Sequence, residues 1–395
     1  MRYTDIAIIG GGLAGSTAAA MLGRAGVSAV LVDPHPSYPP DFRVEKLSGG
    51  EQLERLRKTG LAEAVIRNAT VADVNWIARF GQLLDKAPRQ QIGILYDTLV
   101  NTIRAEIPSR VESIVAKATA IATSEDRQKV ALSNGETISA RLVVIANGLN
   151  VGLRHMLGIE RHIHSPCHSI SIGFDVTPLG RKAFAFPALT YFSERPSDCI
   201  PYLSLFPVGA KMRANLFVYR DFDDPWLREF RRAPMETLTS ALPRLKRITG
   251  SFVVSGDIKF RPADLCINTG YRRAGIVLVG DAFETTCPVT GTGTDKVFTD
   301  VERLCNVHIP EWLATDGMDE TKIAAFYDDP VKRACDEWAM EQAYSFRAVS
   351  TDPDFHWALA RWARYFKWLG RGLWRRQLER WRASGPIPTF ASRRS

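Results

Sequence analysis

The feature that most constrains this 395-residue chain is a glycine-rich turn close to its N terminus. Residues 6–9 are an apolar run, and Gly10, Gly12 and Gly15 follow it with the spacing G-x-G-x-x-G before an alanine-rich, helix-forming segment. In such a turn the first glycine permits the tight bend, the second lets the backbone approach a pyrophosphate, and the third permits close packing of helix on strand. The spacing therefore predicts a strand, a turn and a helix whose N terminus binds phosphate.

A second apolar run, residues 27–32, ends in Asp33, about 20 residues beyond the turn. A carboxylate at this position can accept hydrogen bonds from ribose hydroxyl groups. A glycine-rich turn that binds nothing is the alternative, but it does not account for strand, turn, helix, strand and acid in register. The pattern therefore predicts a set of dinucleotide contacts. Its members are Gly10, Gly12, Leu13, Ala14, Gly15 and Asp33.

A second glycine-rich pattern lies in the C-terminal third of the chain. The apolar run 276–279 leads into Gly280 and Asp281, which are followed by Pro288 and the G-T-G turn 291–293. Asp281, at the end of a strand, can accept hydrogen bonds from a polyol chain. The helix that begins at the G-T-G turn offers N–H groups and a positive dipole end to an anionic group. A strand end and glycine turn without a special role remain the alternative.

The bulk composition is that of a globular protein long enough for more than one domain. Hydrophobic residues make up 45% of the chain and charged residues 24%, which excludes a disordered protein. No apolar run is long enough to span a bilayer. The N-terminal apolar stretch belongs to the glycine-rich turn rather than to a signal peptide. We therefore expect a cytoplasmic protein.

The cysteines, the histidines and the charge exclude several other classes of site. Six cysteines are scattered without a C-x-x-C pair, which argues against disulfides and against zinc. The histidines between residues 155 and 168 lack the spacing of metal ligands on a helix, so we predict no metal site. No nucleic-acid-binding motif accompanies the net charge of +8, so nucleic acid is not an expected partner.

Hydrophobic periodicity predicts the order of the remaining elements. Helices are expected in residues 43–60, around 95–103, near 234–242 and through most of the chain from residue 297. The first of these helices carries a row of leucines, Leu47, Leu53 and Leu56.

Strands are expected in residues 71–80, in 111–144 with a hairpin turn at Asn134 and Gly135, and through most of 165–254. The glycine-rich patterns thus stand at both ends of a strand-rich insertion. This order predicts interleaved domains rather than sequential ones.

With these motifs in order, the chain resembles the group A flavin monooxygenases, the superfamily of para-hydroxybenzoate hydroxylase and the ubiquinone-biosynthesis hydroxylases. Residues 146–154, ANGLNVGLR, resemble the middle motif A-D-G-x-x-S-x-x-R of that family. The second glycine-rich pattern resembles the family's G-D-A-A-H, P and G-x-G-x-N series. The resemblance covers most of residues 1–330 and implies bound FAD, with the flavin ring near the second pattern.

The resemblance also implies further cofactor contacts. An arginine that meets the cofactor corresponds to Arg43, although a solvated arginine is a close alternative. The full set that the resemblance adds is Arg43, Asn147, Gly148, Gly280, Asp281, Pro288, Gly291, Thr292, Gly293 and Thr294.

The chain departs from the family pattern at four positions. Asn147 replaces an aspartate and Val151 a serine in the middle motif, which the family links to the pyrophosphate and to the nicotinamide donor. Glu284 replaces a histidine and Asp295 an asparagine near the flavin ring. This added acidic charge would disfavour an anionic reduced flavin unless Glu284 points away or is protonated.

The implied reaction is hydroxylation of an aromatic or prenyl-aromatic substrate. NADPH or NADH reduces FAD, O2 adds at flavin C4a, and the hydroperoxide passes one oxygen to an electron-rich ring. The expected partner is therefore a small aromatic or lipid-soluble molecule. Polar candidates in the substrate sheet are Tyr191, Tyr202 and Arg213, and no catalytic residue is assigned.

Two alternatives to hydroxylation stay open. One is an FAD-dependent reductase resembling the geranylgeranyl reductases, whose Y-x-W-x-F-P box is similar to residues 202–207, YLSLFP, apart from the missing tryptophan. The other is a non-catalytic FAD-binding protein. A flavin-dependent halogenase is disfavoured because its W-x-W-x-I-P signature is absent.

The resulting fold class is α/β. A Rossmann-like FAD-binding domain is interleaved with a β-sheet substrate domain, and a helical region follows. The predicted bounds are 1–73, 94–163 and 256–330 for the FAD-binding domain, 74–93 and 164–255 for the substrate domain, and 331–395 for the helical C-terminal region.

The C-terminal region contains a basic amphipathic segment. Between Arg361 and Arg382 there are eight basic residues and one acid, and apolar residues recur at steps of three and four. The favoured interpretation is a helix packed on the FAD-binding domain with its arginines in water. The alternative is peripheral membrane contact through residues 355–382. The apolar residues of the stripe are Phe355, Leu359, Trp362, Phe366, Leu369 and Leu373.

Overall fold

The computed structural model describes residues 1–383, which form three β-sheets and thirteen α-helices. The predicted α/β class is confirmed. The predicted domain bounds stay a prediction, and residues 384–395 of the predicted helical region lie outside the described residues.

The first sheet contains the N-terminal strand and has the order β8-β2-β1-β11-β10-β9, with β17 also paired to β11. Strands β8, β2, β1, β11 and β17 run parallel, so their carboxyl ends meet at one edge. Its strands are β1 (Arg2–Ile9), β2 (Ala29–Asp33), β8 (Glu112–Val115), β9 (Ala118–Ala122), β10 (Gln128–Leu132), β11 (Thr137–Ile145) and β17 (Ile276–Leu278).

The second sheet has the order β16-β12-β15-β14-β13-β5-β6. It is mostly antiparallel, and in its two long strands the beginning of β12 pairs with the end of β16. Its strands are β5 (Asn75–Arg79), β6 (Gln82–Ala87), β12 (Glu160–Pro178), β13 (Ala188–Phe192), β14 (Tyr202–Val208), β15 (Lys211–Val218) and β16 (Phe252–Thr269). A small third sheet joins β3 (Val44–Ser48), β4 (Thr70–Ala72) and β7 (Gln91–Leu95).

The two faces of the second sheet differ because side chains alternate along each strand. One face carries large apolar residues such as Phe174, Leu203 and Leu216, which are fully buried together with Phe230 and Leu238 of the covering helices. The other face carries polar residues and lies against the third sheet. The sheet therefore has an apolar back and a polar front.

The helices cover the sheets and form the C-terminal region. They are α1 (Leu13–Arg24), α2 (Glu51–Lys58), α3 (Ala62–Arg67), α4 (Tyr96–Ala105), α5 (Gly152–Met156), α6 (Pro225–Arg232), α7 (Pro234–Ala241), α8 (Lys246–Thr249), α9 (Gly293–Arg303), α10 (Ile309–Leu313), α11 (Glu320–Tyr327), α12 (Pro330–Thr351) and α13 (Phe355–Ala383). In residues 1–383, no helix has both the length and the apolar character needed to cross a membrane.

Three local predictions were wrong. Leu47 lies in β3 rather than in a helix, because this segment pairs with β7 and only Leu53 and Leu56 belong to α2. Helices α6 and α8 were not predicted beside α7, since their short length gives little periodicity. Helix α13 does not pack on the first sheet. It crosses β6, the edge strand of the second sheet, where Tyr365 donates a hydrogen bond to Gln82 Oε1 at 2.7 Å.

The glycine-rich turn is held by close backbone contacts. A Cβ atom on Gly15 would overlap the carbonyl oxygen of Gly10, and one on Gly10 would come within 2.6 Å of the carbonyl oxygen of Ala146. Gly12 differs, since a Cβ atom there would meet no atom within 4 Å. Packing therefore requires glycine at positions 10 and 15, whereas the backbone at Gly12 faces open space.

We expect Gly15→Ala to lower the free energy of unfolding of the protein by more than about 2 kcal/mol, because helix and strand must separate. Gly12→Ala is the matched control and should change it by less than about 0.5 kcal/mol. Urea unfolding measures both. Equal stability of the two variants would contradict the packing role of Gly15.

Candidate functional site

The ends of three parallel strands bring the sequence motifs together. Strand β11 pairs with β1 on one side and with β17 on the other. The three motifs that follow these strands therefore meet at the carboxyl edge of the first sheet, where ligands bind in open α/β sheets. The first and third motifs are close together, since a Cβ atom added to Gly280 would lie 3.5 Å from the Cβ atom of Ala14.

Asp33 lies at the end of β2 beside the glycine-rich turn. Its carboxylate accepts hydrogen bonds from the backbone N–H of Gly11 at 2.7 Å and from that of His35 at 2.9 Å. Arg104 of α4 lies 3.2 Å from the same carboxylate and donates to the carbonyl oxygen of Gly11. Arg104 was not predicted from the sequence, because the residue spacing in α4 does not indicate that this side chain reaches the glycine-rich turn.

The middle motif supports the third motif through Arg154. This buried arginine donates a hydrogen bond of 2.5 Å to the carbonyl oxygen of Ala282, which also accepts one from Asn268 at 2.8 Å. Burial lowers the pKa of Arg154 to about 10, so the side chain stays charged at neutral pH. This hydrogen bond therefore joins the middle motif to the third motif at the residue that follows Asp281.

The G-T-G turn is held by α2. Gln52 donates to the carbonyl oxygen of Gly291 at 3.0 Å and to Thr294 Oγ1 at 2.8 Å. It also donates to Asp295, which pairs with Arg55 of the same helix. The buried carboxylate of Asp295 is thus paired with an arginine and hydrogen-bonded to a glutamine of α2.

Glu284 belongs to a buried network of charges. Its carboxylate lies 3.1 Å from Lys296 Nζ, and Lys296 also pairs with Asp336 of α12. Lys332 lies 2.7 Å from Asp336 and 3.1 Å from Asp300. Both lysines are 1% exposed.

The protonation of this network follows from its pairs. Burial alone would lower the pKa of Lys296, but Asp300, Asp336 and Glu284 raise it above its usual value. Burial raises the pKa of Glu284, and Lys296 opposes that shift. The network therefore pairs two lysines with three carboxylates, and Glu284 faces Lys296.

Arg43 occupies the entrance to β3. It donates to Asp41 Oδ2 at 2.7 Å and to the hydroxyl of Tyr38 at 2.7 Å, and its guanidinium lies 3.7 Å from the ring centroid of Tyr96. Burial opposes its charge, but Asp41 raises its pKa above the ordinary arginine value. Arg43 is therefore a fixed cation at the edge of the site.

The polar front of the second sheet contacts β3. Lys46 Nζ donates to Ser204 Oγ at 2.9 Å, and Arg213 donates to the carbonyl oxygen of Phe42 at 2.8 Å. Burial, followed by the charge of Arg89, lowers the pKa of Lys46 to about 8. Lys46 was missed in the sequence, where it belonged to a predicted helix. Its place on a strand is what brings it to the sheet.

Two of the candidate tyrosines have structural partners. The hydroxyl of Tyr191, on the apolar back, accepts from the N–H of Gly81 at 2.9 Å and donates to Glu194 at 2.8 Å. Tyr202 donates to the carbonyl oxygen of Val289 at 2.5 Å and so ties the front of the sheet to the loop between Pro288 and the G-T-G turn. The structure therefore brings the third motif and the polar front together, but not Tyr191.

The residues at this edge fit a bound dinucleotide. Cβ atoms on Gly12, Gly148 and Gly291 would each meet no atom within 4 Å, so backbone at all three motifs faces open space. Asn147 Oδ1 is buried without a hydrogen-bond partner. Asp281 borders the same space, and burial raises the pKa of its carboxyl group above the usual value although the cations Arg261 and Arg43 oppose that shift. Each motif thus offers a group that a cofactor could satisfy.

Comparison with known proteins agrees with this geometry. A family model described as an FAD binding domain matches residues 3–307. The chain is 25% identical over 330 residues to 3-demethoxyubiquinol 3-hydroxylase of Escherichia coli (strain K12), covering 77% of this chain and 79% of that protein.

Solved structures share the fold. The p-nitrophenol 4-monooxygenase PnpA from Pseudomonas putida DLL-E4 superimposes with a TM-score of 0.71 at 18% identity, covering 94% of this chain and 95% of that chain. The flavin-dependent brominase Bmp2 superimposes with a TM-score of 0.68 at 15% identity, covering 97% of this chain and 100% of that chain. At these identities the likeness concerns the fold alone.

We expect Asp336→Asn to lower the free energy of unfolding by about 3 kcal/mol, because two buried lysines lose their shared carboxylate. The neighbouring Glu337→Gln is the control, since its partner Arg333 is exposed, and should cost less than about 0.5 kcal/mol. Pairing with the two lysines lowers the pKa of Asp336 despite burial. The stabilisation that its carboxylate contributes to the free energy of unfolding is therefore present above the ordinary carboxyl pKa and is lost as the pH falls through the lowered pKa.

Urea unfolding at pH 7 measures both variants. Equal losses would rule out the network as a stabilising element.

Proposed function

Because the chain belongs to the FAD-binding-domain family and is an FAD-dependent oxidoreductase of the monooxygenase class, we propose that it hydroxylates an aromatic or prenyl-aromatic substrate, using NAD(P)H and O2. The observation that carries this proposal is the meeting of the three motifs at one sheet edge, opposite the polar front of the second sheet. The 3-demethoxyubiquinol 3-hydroxylase, whose name describes hydroxylation of a quinol ring, supports the substrate class.

The proposed cofactor contacts follow the strand ends. The first motif, with Gly12 and the N terminus of α1, receives the pyrophosphate, and Asp33 receives the adenosine ribose. Asp281 receives the ribityl hydroxyls, and the N terminus of α9 lies beside the flavin ring. The remaining contacts proposed are Gly10, Leu13, Ala14, Gly15, Arg43, Asn147, Gly148, Gly280, Pro288, Gly291, Thr292, Gly293 and Thr294.

The reaction consumes one reductant for each hydroxylation. NAD(P)H, a proton, O2 and a substrate C–H bond give NAD(P)+, water and a substrate C–OH bond. Bound FAD would supply the electron transfer and the activation of O2. The chain supplies the donors at the N terminus of α9, which favour negative charge on the reduced ring. Arg55 and Lys296 neutralise the two added carboxylates that would oppose it.

The polar front supplies groups for an ionisable ring substituent. Lys46, with a pKa of about 8, can stabilise a phenolate or return a proton to it near neutral pH. Phe206 lies beside Lys46, with the ammonium 5.9 Å from its ring centroid. A cation at the polar front suits an aromatic substrate that carries an ionisable hydroxyl group.

The rival reductase function is disfavoured by Ser204. This residue stands where the reductase box Y-x-W-x-F-P has its tryptophan, and its hydroxyl accepts the hydrogen bond of Lys46. A hydrogen-bonded lysine at this point makes the front of the sheet polar, whereas saturation of a polyprenyl chain calls for an apolar surface.

We expect NADH or NADPH to bleach the bound flavin without O2, and admission of 18O2 with a phenol or quinol substrate to place one labelled oxygen in the product. A panel of p-nitrophenol, para-hydroxybenzoate and a short-chain 3-demethoxyubiquinol supplies the substrates, and mass spectrometry reads the product. Free flavin with the same reagents is the control for uncatalysed oxidation.

The rivals give other results in the same assay. Flavin bleaching with saturation of a prenyl double bond and no label would support the reductase. Bound flavin that neither reductant bleaches would support the non-catalytic protein. Either result would overturn the hydroxylase proposal.

A further inference from the structure

Helix α13 turns its apolar stripe to the outside of the protein. Five of the six stripe residues lie on the outer face, within an arc of about 60° on the helix, because successive residues are rotated by about 100°. They are Phe355, Leu359, Trp362, Phe366 and Leu373, with exposed fractions of 76%, 54%, 48%, 59% and 55%. We call these five residues the outer stripe. An apolar helix face normally packs on a hydrophobic core, and a large exposed apolar patch is typical of an interaction site.

The opposite face of the helix holds it on the protein. Arg375 pairs with Asp85 at 3.0 Å, and Arg361 donates to the carbonyl oxygen of Asp352 at 2.6 Å. Gly372 sits so close to β6 that a Cβ atom there would overlap the carbonyl oxygen of Leu84. The helix is therefore docked through Arg361, Arg375 and Gly372. Trp362, at the edge of the outer stripe, also stacks on Phe80 with the ring centroids 5.9 Å apart, while the other four stripe residues are more than half exposed.

The border of the outer stripe is aromatic and cationic. Trp374 and Trp381 are 63% and 66% exposed on one side of it. Lys367 and Arg376 are exposed along its flanks. Residues 355–383 contain eight basic residues and one acid. Tryptophan at the edge of an apolar face, with cations beside it, is the pattern of a helix that lies in a lipid interface.

We propose that the outer stripe of α13 lies on an anionic lipid surface. The stripe enters the boundary between headgroups and acyl chains, the tryptophans lie at headgroup level, and the basic flanks face the acidic headgroups. A second copy of the chain fits less well. A two-fold interface through this face would bring together two helices that each carry eight basic residues and one acid.

This inference goes beyond the proposed function and does not depend on it. The second sheet, whose edge strand carries α13, is the sheet whose front faces the candidate site. A lipid surface under α13 would therefore hold the substrate side of the enzyme close to molecules dissolved in the bilayer.

Vesicle co-sedimentation of the full chain tests the proposal. We expect binding to vesicles of equal parts phosphatidylcholine and phosphatidylglycerol, weak binding to phosphatidylcholine alone, and loss of binding as salt is raised. The triple variant Leu359→Ser, Phe366→Ser, Leu373→Ser should bind at least about tenfold more weakly. The double variant Leu179→Ser, Phe222→Ser, at exposed apolar residues elsewhere, is the control and should bind like the parent protein.

Flavin content and far-ultraviolet circular dichroism of each variant show whether it is folded, independently of any hydroxylation. A parent protein that does not bind the anionic vesicles would overturn the proposal. So would equal binding by the stripe variant and the control. A dimer in sedimentation velocity that the stripe variant abolishes, without vesicle binding, would assign the face to a second copy instead.

Discussion

The pairing of β11 with both β1 and β17 is the constraint on which the site depends. These strands belong to segments that are far apart in the sequence, and their parallel register places all three motifs at one sheet edge. Gly10 and Gly15 make this possible, because any side chain at either position would push the turn away from its neighbours. Arg154 and Asn268 then fix the segment that carries Asp281 from behind.

Charge compensation explains how the site tolerates unusual residues. Glu284 and Asp295 would each add a negative charge beside a flavin ring, but each has a basic partner in the protein interior. Lys296 and Lys332 also join α9 to α12, so the same network ties the C-terminal region to the first sheet. Each of the two substituted carboxylates, Glu284 and Asp295, therefore has a basic partner, Lys296 and Arg55 respectively.

Local pattern was sufficient to predict the first sheet and the motif positions. The glycine spacing, the apolar runs and Asp33 each carry their information within a short segment. Long-range partners could not be predicted. Lys296 and Asp336 meet only because α12 packs on α9, and Lys46 faces Ser204 only because the segment after Arg43 forms a strand. The stripe of α13 was visible in the sequence, but its direction depends on which face docks on β6.

The most direct test of the account is a titration of the flavin-free chain with FAD, FMN and riboflavin, followed by flavin fluorescence and calorimetry. We predict one FAD bound for each chain, with much weaker binding of FMN and riboflavin, since the first motif and Asp33 would contact the adenosine diphosphate part. A chain that binds no FAD, or binds FMN equally well, would contradict the proposal that the three motifs form one dinucleotide site.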